Sequence, residues 1–102
     1  MAAAFDESRL LGTWWRVAEQ DEPGLNVFRR EGAPLPPARG RRGFELRPDG
    51  VATLFGPGPT DRRIGSTSRW SVDADGLLHV EGFDAAEGAI AQLEADRLAL
   101  RR

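Results

Sequence analysis

Short runs that alternate apolar with polar residues, and that stop at glycine or proline, constrain this chain of 102 residues most strongly. The clearest run is residues 43–47, in which Phe44 and Leu46 alternate with charged neighbours. Alternation with a period of two places the apolar side chains on one face of a strand. The 12 glycines and 7 prolines lie between such runs rather than in one tail, which is the spacing of many turns. The pattern therefore predicts an all-β fold.

Eight short strands are predicted, in up-and-down antiparallel order. Such a meander has exposed edges, and closing it into a small barrel removes them. A short helical turn over residues 5–11 precedes the strands and ends at Gly12. The length fits one domain over residues 1–102. The predicted strands are residues 13–20, 25–30, 43–47, 51–55, 66–72, 77–81, 87–93 and 97–100.

Two points of the predicted structure stay open. The first strand carries Trp14 and Arg16 on one face and Trp15 and Val17 on the other, and either face can point inward. Residues 85–100 also suit a helix, because they are rich in alanine, glutamate and leucine. Gly88 and the alternation near the C-terminus favour a strand hairpin there.

Composition restricts the chemistry available to the chain. It has no cysteine and one histidine, His79, so we expect no disulfide, no metal site and no cofactor. The N-terminus lacks the basic and apolar regions of a signal peptide, and no run approaches the about 20 apolar residues of a membrane span. We therefore expect a cytoplasmic protein that binds no membrane. The net charge of -2 gives no general attraction to nucleic acid.

A family resemblance rests on two stretches. Leu11-Gly12-Thr13-Trp14, after a short helical turn, resembles the Gly-x-Trp motif of the lipocalin (calycin) superfamily. The chain is also similar, end to end, to small bacterial lipocalin-like proteins, through residues 36–46 and the following Asp49-Gly50. The resemblance implies an eight-stranded barrel in which Gly12 and Trp14 plug one end. It also implies that an arginine near the last strand, Arg101 or Arg102, packs across the tryptophan.

The candidate binding residues lie at the other, open end of this barrel. Arg16 on an inner face needs an anion, which is either a protein carboxylate such as Glu19 or Glu45, or a ligand. The proline- and arginine-rich loop over residues 34–42 would gate that end. The predicted ligand-binding residues are Arg16, Phe28, Arg39, Arg41 and Phe44.

The chain lacks a recognisable catalytic motif. The serines near His79 have no motif context, and Asp73-Ala74-Asp75-Gly76 is the sequence of a hairpin turn rather than of a complete calcium loop. We therefore expect a non-enzymatic module that binds a small apolar or anionic ligand. The alternative is a protein-interaction module with a filled barrel, which uses an edge strand or the loop over residues 34–42 to contact an unknown protein partner. The state of the barrel interior discriminates between the two.

Overall fold

The structure is a computed structural model that describes residues 7–36, 41–57 and 63–102. Within these ranges it is all-β, and eight antiparallel strands close into a barrel, which confirms the predicted architecture. Three short 3₁₀ helices accompany the strands, at Glu7–Leu10, Ala18–Gln20 and Asp84–Ala86. The strands are β1 (Gly12–Arg16), β2 (Leu25–Arg30), β3 (Gly43–Leu46), β4 (Val51–Pro57), β5 (Arg63–Val72), β6 (Leu77–Val80), β7 (Gly88–Leu93) and β8 (Arg97–Arg101).

The strand order departs from a simple up-and-down barrel at the first hairpin. Strands β3 to β8 follow one another around the barrel, but β1 lies between β2 and β3, and β2 pairs with β8. Because β2 and β3 are both antiparallel to β1, they run parallel to each other. The connection from Glu31 to Arg42 therefore starts at one end of the barrel and finishes at the other. Its two ends are held to β1, through Glu31 N–H to the Thr13 carbonyl (2.9 Å) and Arg16 N–H to the Arg42 carbonyl (2.8 Å).

The first strand is shorter than the sequence predicts. It ends at Arg16 and is followed by the 3₁₀ helix Ala18–Gln20, where the prediction extends the strand to residue 20. The chain turns here because the Asp21 carboxylate folds back onto the Arg16 guanidinium, with contacts of 2.6 and 2.7 Å. The same carboxylate accepts the N–H of Val27 at 2.9 Å and so fixes the start of the second strand.

The C-terminal third forms strands, as predicted, and not the alternative helix. β7 and β8 pair antiparallel, with a register shift between Ile90 and Gln92. Helical structure near this region is confined to Asp84–Ala86. The hairpin turns at residues 48–50 and 73–76 are also where the sequence places them, and Gly50 and Gly76 both adopt positive φ.

The pairing register decides which face of β1 points inward. Trp14 lies opposite Phe44 on β3 and Arg30 on β2, and its side chain is fully buried. Trp15 lies on the outer face, over Gly43, where an added Cβ would come within 2.6 Å of the indole. Trp15 therefore packs against the outside of the barrel and does not line an interior pocket.

Packed side chains occupy the barrel interior. Three phenylalanines contact one another there, with ring centroids 5.3 Å apart for Phe28 and Phe44, 5.3 Å for Phe44 and Phe83, and 6.1 Å for Phe28 and Phe83. The main core cluster comprises Leu10, Trp14, Phe28, Phe44, Leu46, Ala52, Trp70, Leu78, Val80, Phe83, Ala86, Leu98 and Leu100.

The barrel has two distinct ends. We call the closed end the one formed by Glu7–Leu10, the first residue of β1 and the last residue of β2. We call the mouth the opposite one, formed by the last residue of β1, the first residues of β2 and the segment 83–86. In the described ranges, no helix is long and apolar enough to cross a lipid bilayer.

Candidate functional site

Trp14 plugs the closed end and is held there by an arginine from the neighbouring strand. The Trp14 indole donates a hydrogen bond to the Leu10 carbonyl at 2.9 Å. The Arg30 guanidinium lies over the indole, 4.2 Å from the ring centroid. Arg30 also donates to the backbone carbonyls of Arg9, Leu11 and Ala95 at 2.6–2.7 Å. One side chain thus joins the tryptophan to two chain segments, residues 9–11 and the β7–β8 turn.

The expectation that Arg101 or Arg102 packs across Trp14 is wrong. Strand β8 starts at the closed end and runs away from it, so Arg101 lies opposite Leu25 at the mouth and is exposed. Arg102 follows it there, and its N–H donates to the carbonyl of Gly24. Arg30 takes the place that the resemblance gives to the C-terminal arginines.

Gly12 has a steric role at the same end. Its φ of +113° is strained for any residue with a side chain, and an added Cβ would lie 2.8 Å from Nη1 of Arg30. Glycine therefore leaves the space in which the guanidinium sits over Trp14.

A depression of about 280 Å³ lies at the mouth. Its surroundings contain three guanidinium groups, one carboxylate and one aromatic ring. We call it the mouth depression. It is lined by Arg16, Ala18, Glu19, Arg41, Arg42, Phe83 and Ala85.

Arg16 points to the inner face of the mouth, and its partner is a protein carboxylate. Its guanidinium carbon lies 5.5 Å from the centroid of the Phe28 ring, and both terminal nitrogens bind the carboxylate of Asp21. Glu19 and Glu45, the partners considered from the sequence, bind other arginines instead. The hydrogen bonds from Arg16 lower the pKa of Asp21, so the pair is ionised at neutral pH.

Arg41 is a second firmly held cation of the mouth depression. Its side chain is only 11% exposed, and it donates to the carbonyls of Arg16 at 2.8 Å and Pro36 at 2.6 Å. Its two terminal nitrogens also face the two carboxylate oxygens of Glu19, at 3.1 and 3.0 Å. This contact is the main reason that the pKa of Glu19 is lowered.

Arg42 is the exposed cation of the site. Its guanidinium carbon lies 4.5 Å from the centroid of Phe83, a favourable cation–π distance. No carboxylate of the described ranges forms an ion pair with it. In the sequence, the feature that could have identified Arg42 is its position beside Arg41 in the arginine-rich loop. No sequence feature identifies Phe83 as a site residue, because it lies in a short non-periodic segment after β6.

The predicted binding residues divide into three groups. Arg16 and Arg41 line the mouth depression. Phe28 and Phe44 are fully buried beneath it, so they form its support and not its surface. Arg39 lies outside the described residues.

A second depression, of about 480 Å³, lies beside strands β5 and β6, with Ser71 and His79 in its lining. Ser71 and His79 are cross-strand neighbours. Both ring nitrogens of His79 contact carboxylates, Asp73 at 3.1 Å and Glu87 at 2.8 Å. In this arrangement neither nitrogen is available to take a proton from Ser71. The imidazole also stands between the two carboxylates, which keeps them from converging on one ion.

Across residues 7–36, 41–57 and 63–102, no group of three or more histidine, aspartate or glutamate side chains is arranged to hold a metal ion. The arrangement with the clearest binding chemistry is the mouth depression, a small concave surface with guanidinium groups beside an aromatic ring. The chain matches no protein-family model, no curated protein and no solved structure.

Proposed function

We propose that this chain is a non-enzymatic binding module that takes a small anionic, partly apolar ligand in the mouth depression. The observation that carries the proposal is the presence of Arg16, Arg41 and Arg42 around one depression of about 280 Å³. Guanidinium groups bind carboxylates and phosphates through paired, charge-assisted hydrogen bonds. Ala18 and Ala85, which line the same depression and are not buried, supply the apolar contact that a ligand of mixed character requires.

The local charge balance supports an anion. Arg16 is neutralised by Asp21, and Arg41 by Glu19, at contact distances of 2.6 and 3.0 Å. Arg42 adds a positive charge that no carboxylate of the described ranges neutralises. Arg102 also contacts Asp21, at 3.7 Å, so positive charge is in excess at the mouth and a negative charge on the ligand would offset it.

The proposed ligand rests on the barrel and does not enter it. Phe28, Phe44 and Phe83 are almost completely buried against one another under the mouth depression. Small-molecule sites usually have volumes of about 300–1,000 Å³, so this depression suits a ligand at the small end of that range. We also propose that the chain is a lipocalin-like protein and that it is cytoplasmic. The packing of Trp14 at the closed end supports the first of these two points.

The test is a titration with phenylacetate, which carries one carboxylate and one apolar ring, against phenylacetamide, its neutral counterpart. Binding is followed by NMR in the wild type, Arg42→Gln and Arg47→Gln. Arg47 is an exposed arginine outside the mouth depression and serves as the matched control. We expect phenylacetate to bind, phenylacetamide to bind at least fivefold more weakly, and Arg42→Gln alone to weaken phenylacetate binding. Equal binding of both compounds, or no binding of either, would overturn the proposal.

A second candidate function is a protein-interaction module, and the packed interior favours it. Sixteen hydrophobic side chains are buried in the described ranges, which fits a filled barrel that serves as a solid support. Since each strand of the closed barrel has neighbours on both sides, this candidate depends on the loop over residues 34–42 and not on an edge strand. Native mass spectrometry of the freshly purified protein separates the two candidates. A bound small anion supports the first, and a bound protein supports the second.

A further inference from the structure

We infer that the Glu19 carboxylate occupies the position that a ligand carboxylate takes on Arg41, so that Glu19 is an internal competitor for the mouth depression. The inference rests on the proposed function and narrows it to ligands that carry a carboxylate. Removal of the Glu19 carboxylate should therefore strengthen ligand binding, whereas removal of a carboxylate at another site should not.

Arg41 is prepared to receive a carboxylate. The carbonyls of Arg16 and Pro36 hold its two terminal nitrogens, at 2.8 and 2.6 Å, and leave them directed at the two oxygens of Glu19. The resulting two-point contact has the geometry that a guanidinium makes with any carboxylate. Because the arginine side chain is 11% exposed, its position does not depend on Glu19 alone.

Glu19 itself is attached loosely. Its side chain is 41% exposed, and it belongs to a 3₁₀ helix of only three residues, Ala18–Gln20, without a side-chain hydrogen bond at the N-cap. Rotation of one exposed side chain would free Arg41 without a change of the backbone. An ion pair with one exposed partner contributes little to stability, so a ligand carboxylate can replace it.

Asp21, which pairs with Arg16 at the same mouth, is by contrast a permanent partner. Its side chain is 18% exposed, it binds both terminal nitrogens of Arg16, and it also accepts the backbone N–H of Val27. Asp21 therefore joins Arg16 to the start of β2 and helps to hold the β1–β2 connection. The Asp21 carboxylate is thus part of the structure that supports the site, whereas the Glu19 carboxylate covers it.

An internal competitor lowers the apparent affinity by the fraction of molecules in which the site is open. A pair worth up to about 1 kcal/mol corresponds to a factor of about two to five in the dissociation constant. Neutral glutamine at position 19 keeps the size of the side chain and loses the charge-assisted contact with Arg41. The affinity of the variant for a carboxylate should rise by this factor.

The experiment measures the dissociation constant of phenylacetate for the wild type, Glu19→Gln and Glu22→Gln. Glu22 forms an exposed ion pair with Arg97 and does not line the mouth depression, so its variant carries the same charge change at another site. Glu19→Ala serves as a second variant, and thermal unfolding checks that each protein is folded.

We expect Glu19→Gln and Glu19→Ala to bind phenylacetate two- to fivefold more tightly than the wild type, and Glu22→Gln to match the wild type. If the wild type binds and the Glu19 variants bind equally or more weakly, the inference is overturned while the proposed function stands. An equal gain in Glu22→Gln also overturns the inference, because the effect would then be general electrostatics. If no variant binds, both proposals fail.

Discussion

The Arg30 guanidinium lies 4.2 Å from the centroid of the Trp14 indole and closes one end of the barrel. The two residues face each other across neighbouring strands, since Trp14 and Arg30 are register partners of β1 and β2. The arginine also binds three backbone carbonyls, so the contact ties the first helical turn and the β7–β8 turn to the plug. This contact closes one end of the barrel, and the charged side chains of the candidate site lie at the opposite end, the mouth.

Replacement of Arg30 by methionine should destabilise the fold, whereas Arg101→Met should not. Arg30→Met removes a cation–π contact and three charge-assisted hydrogen bonds, and we expect a loss of about 2 kcal/mol in the free energy of unfolding. Arg101 is exposed at the mouth, so its replacement should change stability by less than about 0.5 kcal/mol. Urea denaturation measures both. Equal losses in the two variants would contradict the assignment of Arg30 as the plug arginine.

Asp21→Asn should cost about 2 kcal/mol at neutral pH, because it leaves the half-buried Arg16 without its charged partner. The exposed pair of Glu22 and Arg97 provides the comparison, and Glu22→Gln should cost less than about 1 kcal/mol.

The contribution of Asp21 also depends on pH. Its pKa is lower in the folded protein, so the stabilisation is complete above the ordinary aspartate value of about 3.9. It is lost as the pH falls through the folded pKa. The difference in stability between wild type and Asp21→Asn, measured by urea denaturation, should therefore shrink in acid. A difference that stays constant down to pH 2 would contradict this account of the pair.

His79 should stabilise the fold more in mild acid than in base. Contacts with Asp73 and then Glu87 raise the pKa of His79 above its ordinary value of about 6.5. The charged form is thus favoured in the folded state, and its stabilisation is fully present below that ordinary value. As the pH rises through the folded pKa, the stabilisation is lost.

Two measurements check this prediction for His79. NMR titration should give a folded pKa above about 6.5 that falls in Asp73→Asn and in Glu87→Gln. The stability difference between wild type and His79→Gln should be larger at pH 5.5 than at pH 8.5. If that difference is the same or larger at the higher pH, the two carboxylates do not favour the charged imidazole.

The sequence predicted the strands well because alternation is a local property. Residues 25–30 form β2 with the predicted bounds, and the Gly43–Leu46 strand buries Phe44 and Leu46 as expected. The alternation could not predict that β1 lies between β2 and β3, since both strand orders bury the same apolar faces. The early end of β1 depends on Asp21, a turn residue whose partner Arg16 is identified only by the folded structure.

The candidate site was predicted only in part, because sequence patterns are local and several of its residues meet only in the folded barrel. Arg16 stands out in the sequence as an arginine on the strand face of Trp14, and Arg41 as a loop arginine, and both line the mouth depression. Phe28 and Phe44 carry an apolar pattern that fits a core or a pocket equally well, and the structure places them in the core. Phe83 and Ala85 reach the site from a segment with no periodic pattern, so only the tertiary fold brings them there.

The most direct test of the central claim is to map where phenylacetate contacts the protein by NMR chemical shifts. Phenylacetate in the mouth depression should shift the backbone amides of Arg42, Phe83 and Ala85, which surround it. The indole N–H signals of Trp14 and Trp70 should not move, because both donate to backbone carbonyls near the closed end. Shifts of these indole signals with unchanged mouth amides would contradict a ligand site at the mouth.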